Sequence, residues 1–342
     1  MRAGLRPLLR AKPPSAQLPA APARLQKRTH TSHTHTPTPT AAARSPPSVD
    51  SARTYCATLL QKHDYASHLT TALMHPLARD AHLAIRAFNI DTALIDDAVT
   101  SVAVGRMRMQ YWRDAVDATF SGRAPAEPVA VLLGSVLRGG APLGKGWFRK
   151  VIGCREQYLG AVPFATLEDL EAYAEGTYGS LNYLSLESFG VQSVALDHVA
   201  SHIGKAVGIA AILRGMPLLA FPTGAGAGAG AVVFPLDVCA QHGLRQEDVL
   251  RKGSGAEGLR DAVFAVATRA NDHLITARKM LGDYAGAEGK GAPFGAFLSA
   301  VPTALYLERL EKVDFDPFDQ SLQKRPWKLP WRAYRAYSTK KF

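Results

Sequence analysis

The stretch Asp197–Pro217, DHVASHIGKAVGIAAILRGMP, decides the fold. Its apolar residues recur at helical spacing, with Ile203, Val207 and Ala211 on one side. Gly204, Gly208, Ala211 and Gly215 step by three or four residues and so share a face. That face carries almost no side chain, which lets a second backbone come close. His198, His202 and Lys205 form a polar stripe opposite. Arg214 sits near the apolar side, where a guanidinium needs a partner. Two readings follow: a packed core helix whose Arg reaches a nearby carboxylate, or the wall of a ligand cavity. Spacing alone favours the packed helix.

Outward from this stretch the chain reads as more helices. Residues 51–74 are apolar at Leu59, Leu60, Ala66, Leu69 and Leu73, and Pro76 is expected to end or kink them. Residues 81–99 align Leu83, Ala87, Ile90 and Leu94. The next helix aligns Met109, Trp112, Val116 and Phe120 and stops at Gly122. Pro125 and Pro128 open another, closed by Gly139 and Gly140, and GWFRKVIGCREQYLG follows. Thr166 and Asp169 make a capping-box pattern ahead of a long helix to Phe189. Residues 257–281 carry Leu259, Val263, Val266, Ala270, Leu274 and Ala277 on one face, and the last core helix is expected to break near Pro302. No stretch alternates as a strand does. The expected class is all-α, with one domain over residues 51–320.

Charge is unevenly spread. The 342 residues carry a net +11, but residues 1–49 hold eight of the 40 basic residues and none of the 29 acids, which leaves +3 for the rest. The basic pI therefore belongs to the leader and gives no reason to expect a nucleic-acid partner. A leader over residues 1–50, rich in Arg, Ala, Ser and Thr and free of acids before Asp50, predicts a mitochondrial transit peptide cleaved between about Arg28 and Asp50. Cys56, Cys154 and Cys239 are far apart and odd in number, which excludes a disulfide framework or a zinc pattern. The glycine-alternating run Gly224–Ala231 lacks the strand before it and the helix after it that a dinucleotide loop needs, so it reads as a connecting loop. No membrane-spanning segment is expected: Pro217, Pro222 and Pro235 punctuate the longest uncharged run.

The tail, residues 321–342, interleaves aromatic and basic residues. Trp327, Trp331 and Tyr334 would align on a helix, with Arg332 and Arg335 among the cations around them. Such a surface suits an anionic membrane, because aromatic rings favour the headgroup level and each nearby cation contributes about 1 kcal/mol. The alternative is that the tryptophans pack back onto the domain. Pro326 and Pro330 argue against a long regular helix.

ILRGMP followed by VFPLDVCAQHGL resembles the second signature of the squalene/phytoene synthase family. Arg214 matches the family's Arg, while its two Asp positions fall on Gly215 and Leu219. In AIRAFNIDTALIDDAV the family register puts Ala93 and Leu94 at the leading Asp pair and only Asp97 at the last Asp, with Asp91 and Asp96 on other faces. GRMRMQYWRDAVDATFSG and YAEGTYGSLNYLSLESFGV resemble two further family helices. The resemblance implies an isoprenoid-synthase-like bundle around a central cavity. In that family Mg²⁺ held by carboxylates promotes departure of diphosphate. With both acidic motifs degenerate, no catalytic residue, metal or cofactor is expected. Asp91, Asp96, Asp97, Lys205, Gly208, Arg214 and Gly215 are left as the remnant motif or pocket.

SHIGKAVGIAAILRGMP, FPLDVCAQHGLRQEDVLR and VDFDPFD are most similar to the branch of this superfamily that assembles mitochondrial complex I, NADH:ubiquinone oxidoreductase. That implies complex I subunits or assembly intermediates as partners, the matrix face of the inner membrane as location, and a prenyl lipid as one candidate ligand. The competing expectations are an active Mg²⁺-dependent prenyl transferase and a lipid carrier without turnover.

Overall fold

In a computed structural model that describes residues 47–99, 101–222, 230–288 and 292–342, the helical patterns resolve into fifteen α-helices, and no strand occurs among the described residues. The leader up to residue 46 and most of the Gly224–Ala231 run lie outside them.

The N-terminal helix expected to run unbroken is two. Helices α1 (Val49–His63) and α2 (Tyr65–Thr71) meet at Asp64, whose carboxylate accepts the Ser67 N–H at 3.0 Å and caps α2. Pro76 opens α3 (Pro76–Ala93) rather than closing the segment before it, because its fixed φ and missing N–H suit a first helical turn. Helix α3 therefore starts earlier than the pattern suggested, and residues 94–98 turn instead of continuing it. Helices α4 (Val102–Phe120), α5 (Pro128–Arg138) and α6 (Lys145–Gln157) follow. Gly122 ends α4's approach at φ 77°, a left-handed conformation that favours glycine.

Thr166 and Asp169 form the expected capping box at α7 (Leu167–Ala174). The long helix after it contains a π-turn, Glu175–Gly179, before it continues as α8 (Ser180–Ser188). The central helix is α9 (Val194–Ala220), and it runs through Pro217. Short α10 (Leu236–Gln241) and α11 (Gln246–Lys252) lead into α12 (Leu259–Glu288). Its predicted apolar line, from Leu259 to Ala277, is fully buried. Helix α13 (Ala300–Lys312) is not interrupted at Pro302, which lies in its first turn, where no N–H is missed. Helix α14 (Gln320–Gln323) precedes α15 (Leu329–Thr339), and Pro330 is again accommodated in a first turn.

Helix α9 is the hub, touching α7, the π-turn, α8, α12 and α13. By length and composition it could cross a membrane, but half of its most apolar window is buried inside the protein. One core cluster gathers around α9, α12 and α13, and a second around α3 to α6, where Phe88 meets Trp112 and Phe148 edge to face.

The small-residue face of α9 has three different neighbours. A Cβ on Gly204 would lie 2.4 Å from Gly179 Cα, and one on Gly208 would lie 2.4 Å from Ala174 Cβ. Ala211 borders a cavity, and nothing lies within 4 Å of a Cβ on Gly215. Gly204→Ala should therefore cost about 1–3 kcal/mol by overpacking, more than the about 1 kcal/mol that helix propensity returns. Gly215→Ala should keep that gain and be neutral or stabilising. Urea-unfolding midpoints of the two variants check this, and equal midpoints would contradict the close approach.

Candidate functional site

A cavity of about 240 Å³ lies between α2, α3, α9 and α13. Helix α3 supplies it with His82, Arg86, Asn89 and Ile90, and α13 with Thr303 and Tyr306. Tyr178 reaches it from the π-turn, so the extra residue of that turn helps shape the wall. Arg214 borders it from α9 while exposed to solvent. No ion pair of Arg214 is present among the described residues, so the nearby carboxylate expected for it is not found. Its head reaches water at the rim while its stem lies along the wall.

Asp64 is the sole acid among the described lining residues. Ala93 and Leu94, which stand at the register positions of the leading acid pair, do line the cavity. The three nearby acids do not. Asp96 holds a turn, accepting the Gly160 N–H at 2.8 Å and the Ala161 N–H at 3.3 Å. Asp97 is exposed beside it. Partial desolvation by the surrounding turn, and then the neighbouring Asp96 charge, raise its carboxyl above the usual range. Asp91 lies in electrostatic reach of Glu127, the N-cap of α5, and of Tyr55, Cys56 and Tyr111. Burial first, and Glu127 second, push the Asp91 carboxyl up to about 7. Among the described residues, no three His, Cys, Asp or Glu side chains come together as a metal site.

The rest of the remnant set is dispersed. Gly208 is spent on helix packing, Gly215 faces open space, and Lys205 is half-buried on the opposite stripe. On that stripe His202 Nδ1 lies 2.9 Å from His273 Nδ1, and His273 Nε2 lies 3.0 Å from Glu171 Oε1. The Glu171 carboxylate fixes the tautomers: His273 donates from Nε2, so its bare Nδ1 accepts from His202. Burial lowers the affinity of both rings for a second proton. Glu171 also pairs with Arg269 at 2.7 Å, so this chain of groups ties α7, α9 and α12 together.

The sequence pattern missed Arg86, His82, Tyr306 and His273. A charged residue inside the apolar run LAIRAFNI was a usable signal for Arg86. The others lie on ordinary amphipathic helices and become neighbours only through packing.

Helix α15 buries Leu329, Ala333 and Ala336 against the fold, while Trp331 (66 % exposed) and Tyr334 (57 %) on it, and Trp327 (83 %) just before it, face outward. The tryptophans do not pack back, because the small and aliphatic face of the helix makes the contact. Arg335 is exposed, and Arg332 pairs with Glu308 through contacts of 3.0 and 2.7 Å.

With this geometry in hand, comparisons place the chain among known proteins. The family described as squalene/phytoene synthase matches residues 60–335. The protein named NADH dehydrogenase (ubiquinone) complex I, assembly factor 6, is 38 % identical in Mus musculus over 296 residues, covering 86 % of this chain and 84 % of the relative. Its Homo sapiens counterpart is 36 % identical over 297 residues with the same coverages. The homolog in Drosophila melanogaster is 35 % identical over 286 residues, covering 82 % and 81 %. Among solved structures, a dehydrosqualene synthase superposes with a TM-score of 0.68 at 16 % identity, over 85 % of this chain and 97 % of that one. A squalene synthase from Alicyclobacillus acidocaldarius gives 0.63 at 16 % identity, over 79 % and 97 %. The structural likeness establishes a shared all-helical fold.

The Asp91 carboxyl supplies a pH test. Its folded pKa is raised, so the native state holds the proton longer than the unfolded chain and stability falls as pH rises from about 4 through about 7. Asp91→Asn should match the wild-type melting temperature near pH 4 and exceed it at pH 8. A gap that is constant with pH would contradict the burial of this carboxyl.

Proposed function

The chain belongs to the squalene/phytoene synthase family, and we propose that within it this protein works as an assembly factor for mitochondrial complex I without prenyl-transfer catalysis. The assembly role follows its relatives, which match over most of both chains and bear that function in their names from mammals to Drosophila melanogaster. The role puts the protein in the mitochondrion.

One observation carries the non-catalytic part: the cavity has lost its acids where the family register expects them. Mg²⁺ takes near-octahedral oxygen ligands and is held by carboxylates together with substrate phosphates. Here Asp64 is the sole lining acid among the described residues, and its Oδ1 already accepts the Ser67 N–H. Ala93 and Leu94 bring only hydrocarbon to the wall. The residues present do not fit the metal.

In cells lacking this chain, complex I activity should fall and assembly intermediates should accumulate. Wild type and Asp97→Ala should restore it equally. Purified protein given farnesyl diphosphate and Mg²⁺ should release no diphosphate. Turnover that disappears in Asp97→Ala would overturn the non-catalytic reading.

The finer placement, peripheral on the matrix face of the inner membrane, belongs to the same proposal. It is supported by the acid-free leader and by the outward row Trp327, Trp331 and Tyr334 with Lys328 and Arg335 nearby. Removing the whole tail would uncover the residues that α15 buries, so point changes make the cleaner test. Trp327→Ser with Trp331→Ser should leave melting unchanged but abolish co-sedimentation with cardiolipin-containing vesicles at low salt. Wild-type binding should weaken as salt rises. Equal sedimentation of the two proteins would rule this membrane contact out.

A further inference from the structure

A second pocket, of about 350 Å³, lies between α6, the end of α8 and the start of α9. It shares no lining residue with the cavity described above. Trp147 of α6 and Tyr183 of α8 line it, with ring centroids 4.6 Å apart and planes inclined by 38°. Glu187 and Asp197 bring two carboxylates to the same wall, and Val191 and Val194 add hydrocarbon. No Lys, Arg or His is among its described lining residues.

Both acids are placed by the fold and neither is neutralised by it. Glu187 Oε2 accepts the Gly144 N–H at 2.8 Å, and its Oε1 accepts the Trp147 Nε1–H at 2.9 Å. These bonds fix the indole and the carboxylate together. A carboxylate offers about four lone-pair sites, so Glu187 keeps acceptor capacity to spare. Asp197 stands in the first turn of α9, and its carboxylate makes no hydrogen bond or ion pair among the described residues. The one basic group acting on its charge is the exposed His198. The cations that flank Trp147 on α6, Lys145 and Arg149, both pair with Asp117 of α4. Tyr183 is held as well: its hydroxyl donates to Glu175, which also accepts from Ser201 Oγ at 2.6 Å. An acid in a first helical turn complements the helix dipole, which accounts for Asp197 alone. It does not account for a second unpaired acid and two rings around the same space.

We propose that this pocket binds a cation bearing N–H donors, the group a lysine side chain presents, on the rings of Trp147 and Tyr183 and the carboxylates of Glu187 and Asp197. An ammonium near an aromatic face is attracted by the quadrupole of the ring. The two carboxylates add a local negative potential to a chain whose net charge is +11. A quaternary ammonium would suit the rings but give neither carboxylate a donor, so the open acceptors favour a primary ammonium. The 350 Å³ corresponds to about twelve water molecules' share of liquid volume, room for one such side chain. Rings and acids are already fixed by their own partners, which lowers the cost of ordering them around a ligand. A lysine of a partner protein and a free alkylamine both present this chemistry. The pocket is independent of the assembly role, because its test reads ligand binding rather than complex I.

Calorimetric titration and thermal melting of the full chain test the site. The probes are Nα-acetyl-lysine N-methylamide, the same compound trimethylated on its side chain, the uncharged norleucine equivalent, and butylamine. The acetyl-lysine amide should bind saturably and raise the melting temperature. Asp197→Asn keeps the shape and removes the charge, and it should weaken binding about fivefold or more, as expected for loss of a charge-assisted partner. Trp147→Leu should weaken it by a smaller factor, about two- to fivefold. Glu187→Gln should also weaken it, and Asp197→Asn carries the test if that variant does not fold. Tighter binding of the acetyl-lysine amide than of butylamine assigns the site to a lysine within a protein chain, and equal or tighter binding of butylamine assigns it to a free amine. The proposal is overturned if neither amine binds, if the norleucine probe binds as well as the lysine probe, if the trimethylated probe binds as tightly or more tightly, or if the folded variants bind like wild type.

Discussion

The close approach of α9 to the segment Ala174–Gly179 constrains the rest of the structure. Backbone meets backbone where a Cβ on Gly204 or Gly208 would lie 2.4 Å from an atom of the facing segment. A protein interior cannot absorb such overlap without displacement, so Gly204 and Gly208 must carry no side chain, facing Gly179 and the small Ala174. The π-turn belongs to this contact. It brings Gly179 against Gly204 while Tyr178 faces the cavity. With α9 fixed here, its later residues Val207, Ala210, Ala211 and Arg214 become the cavity wall.

That frame carries a cavity whose wall holds two arginines and, among the described residues, one acid. The acids near the end of α3 have other tasks. Asp96 satisfies two backbone N–H groups of the turn at Gly160 and Ala161, and Asp91 lies near Glu127. The cavity keeps arginines, Arg86 inside and Arg214 at the rim. Desolvation makes each of these choices consequential, because a carboxylate or guanidinium away from water is strongly biased by its nearest charges. The family's fold thus persists around a wall in which Asp64 is the sole acid among the described residues.

The C-terminal helix follows a similar division of labour between its two faces. Leu329, Ala333 and Ala336 fill space against the domain, and the large rings are left outside. Close packing against α13 and α2 suits small residues, whereas rings with polar edges are tolerated at an interface with water or headgroups.

Period and punctuation made most of the fold legible. The 3.6-residue repeat in Leu259 to Ala277, the capping box at Thr166 and the stop at Gly122 are local signals, and the structure follows them. Proline was read less well, because Pro76, Pro302 and Pro330 each occupy a first helical turn, and a proline alone does not say whether a helix ends or begins. The loss of acids at Ala93, Leu94, Gly215 and Leu219 was also visible in the sequence, since residue identity needs no coordinates. The sequence by itself therefore determined the helical class, the tight glycine contacts of α9 at Gly204 and Gly208, and the loss of every family-motif acid except the one at Asp97. Only the tertiary structure decided that Arg86, Arg214 and Tyr306 share one cavity, that His202 meets His273, and that the tail tryptophans face outward. These groups are separated by tens to more than two hundred residues of chain, and their meeting depends on how whole helices cross, which no local pattern encodes.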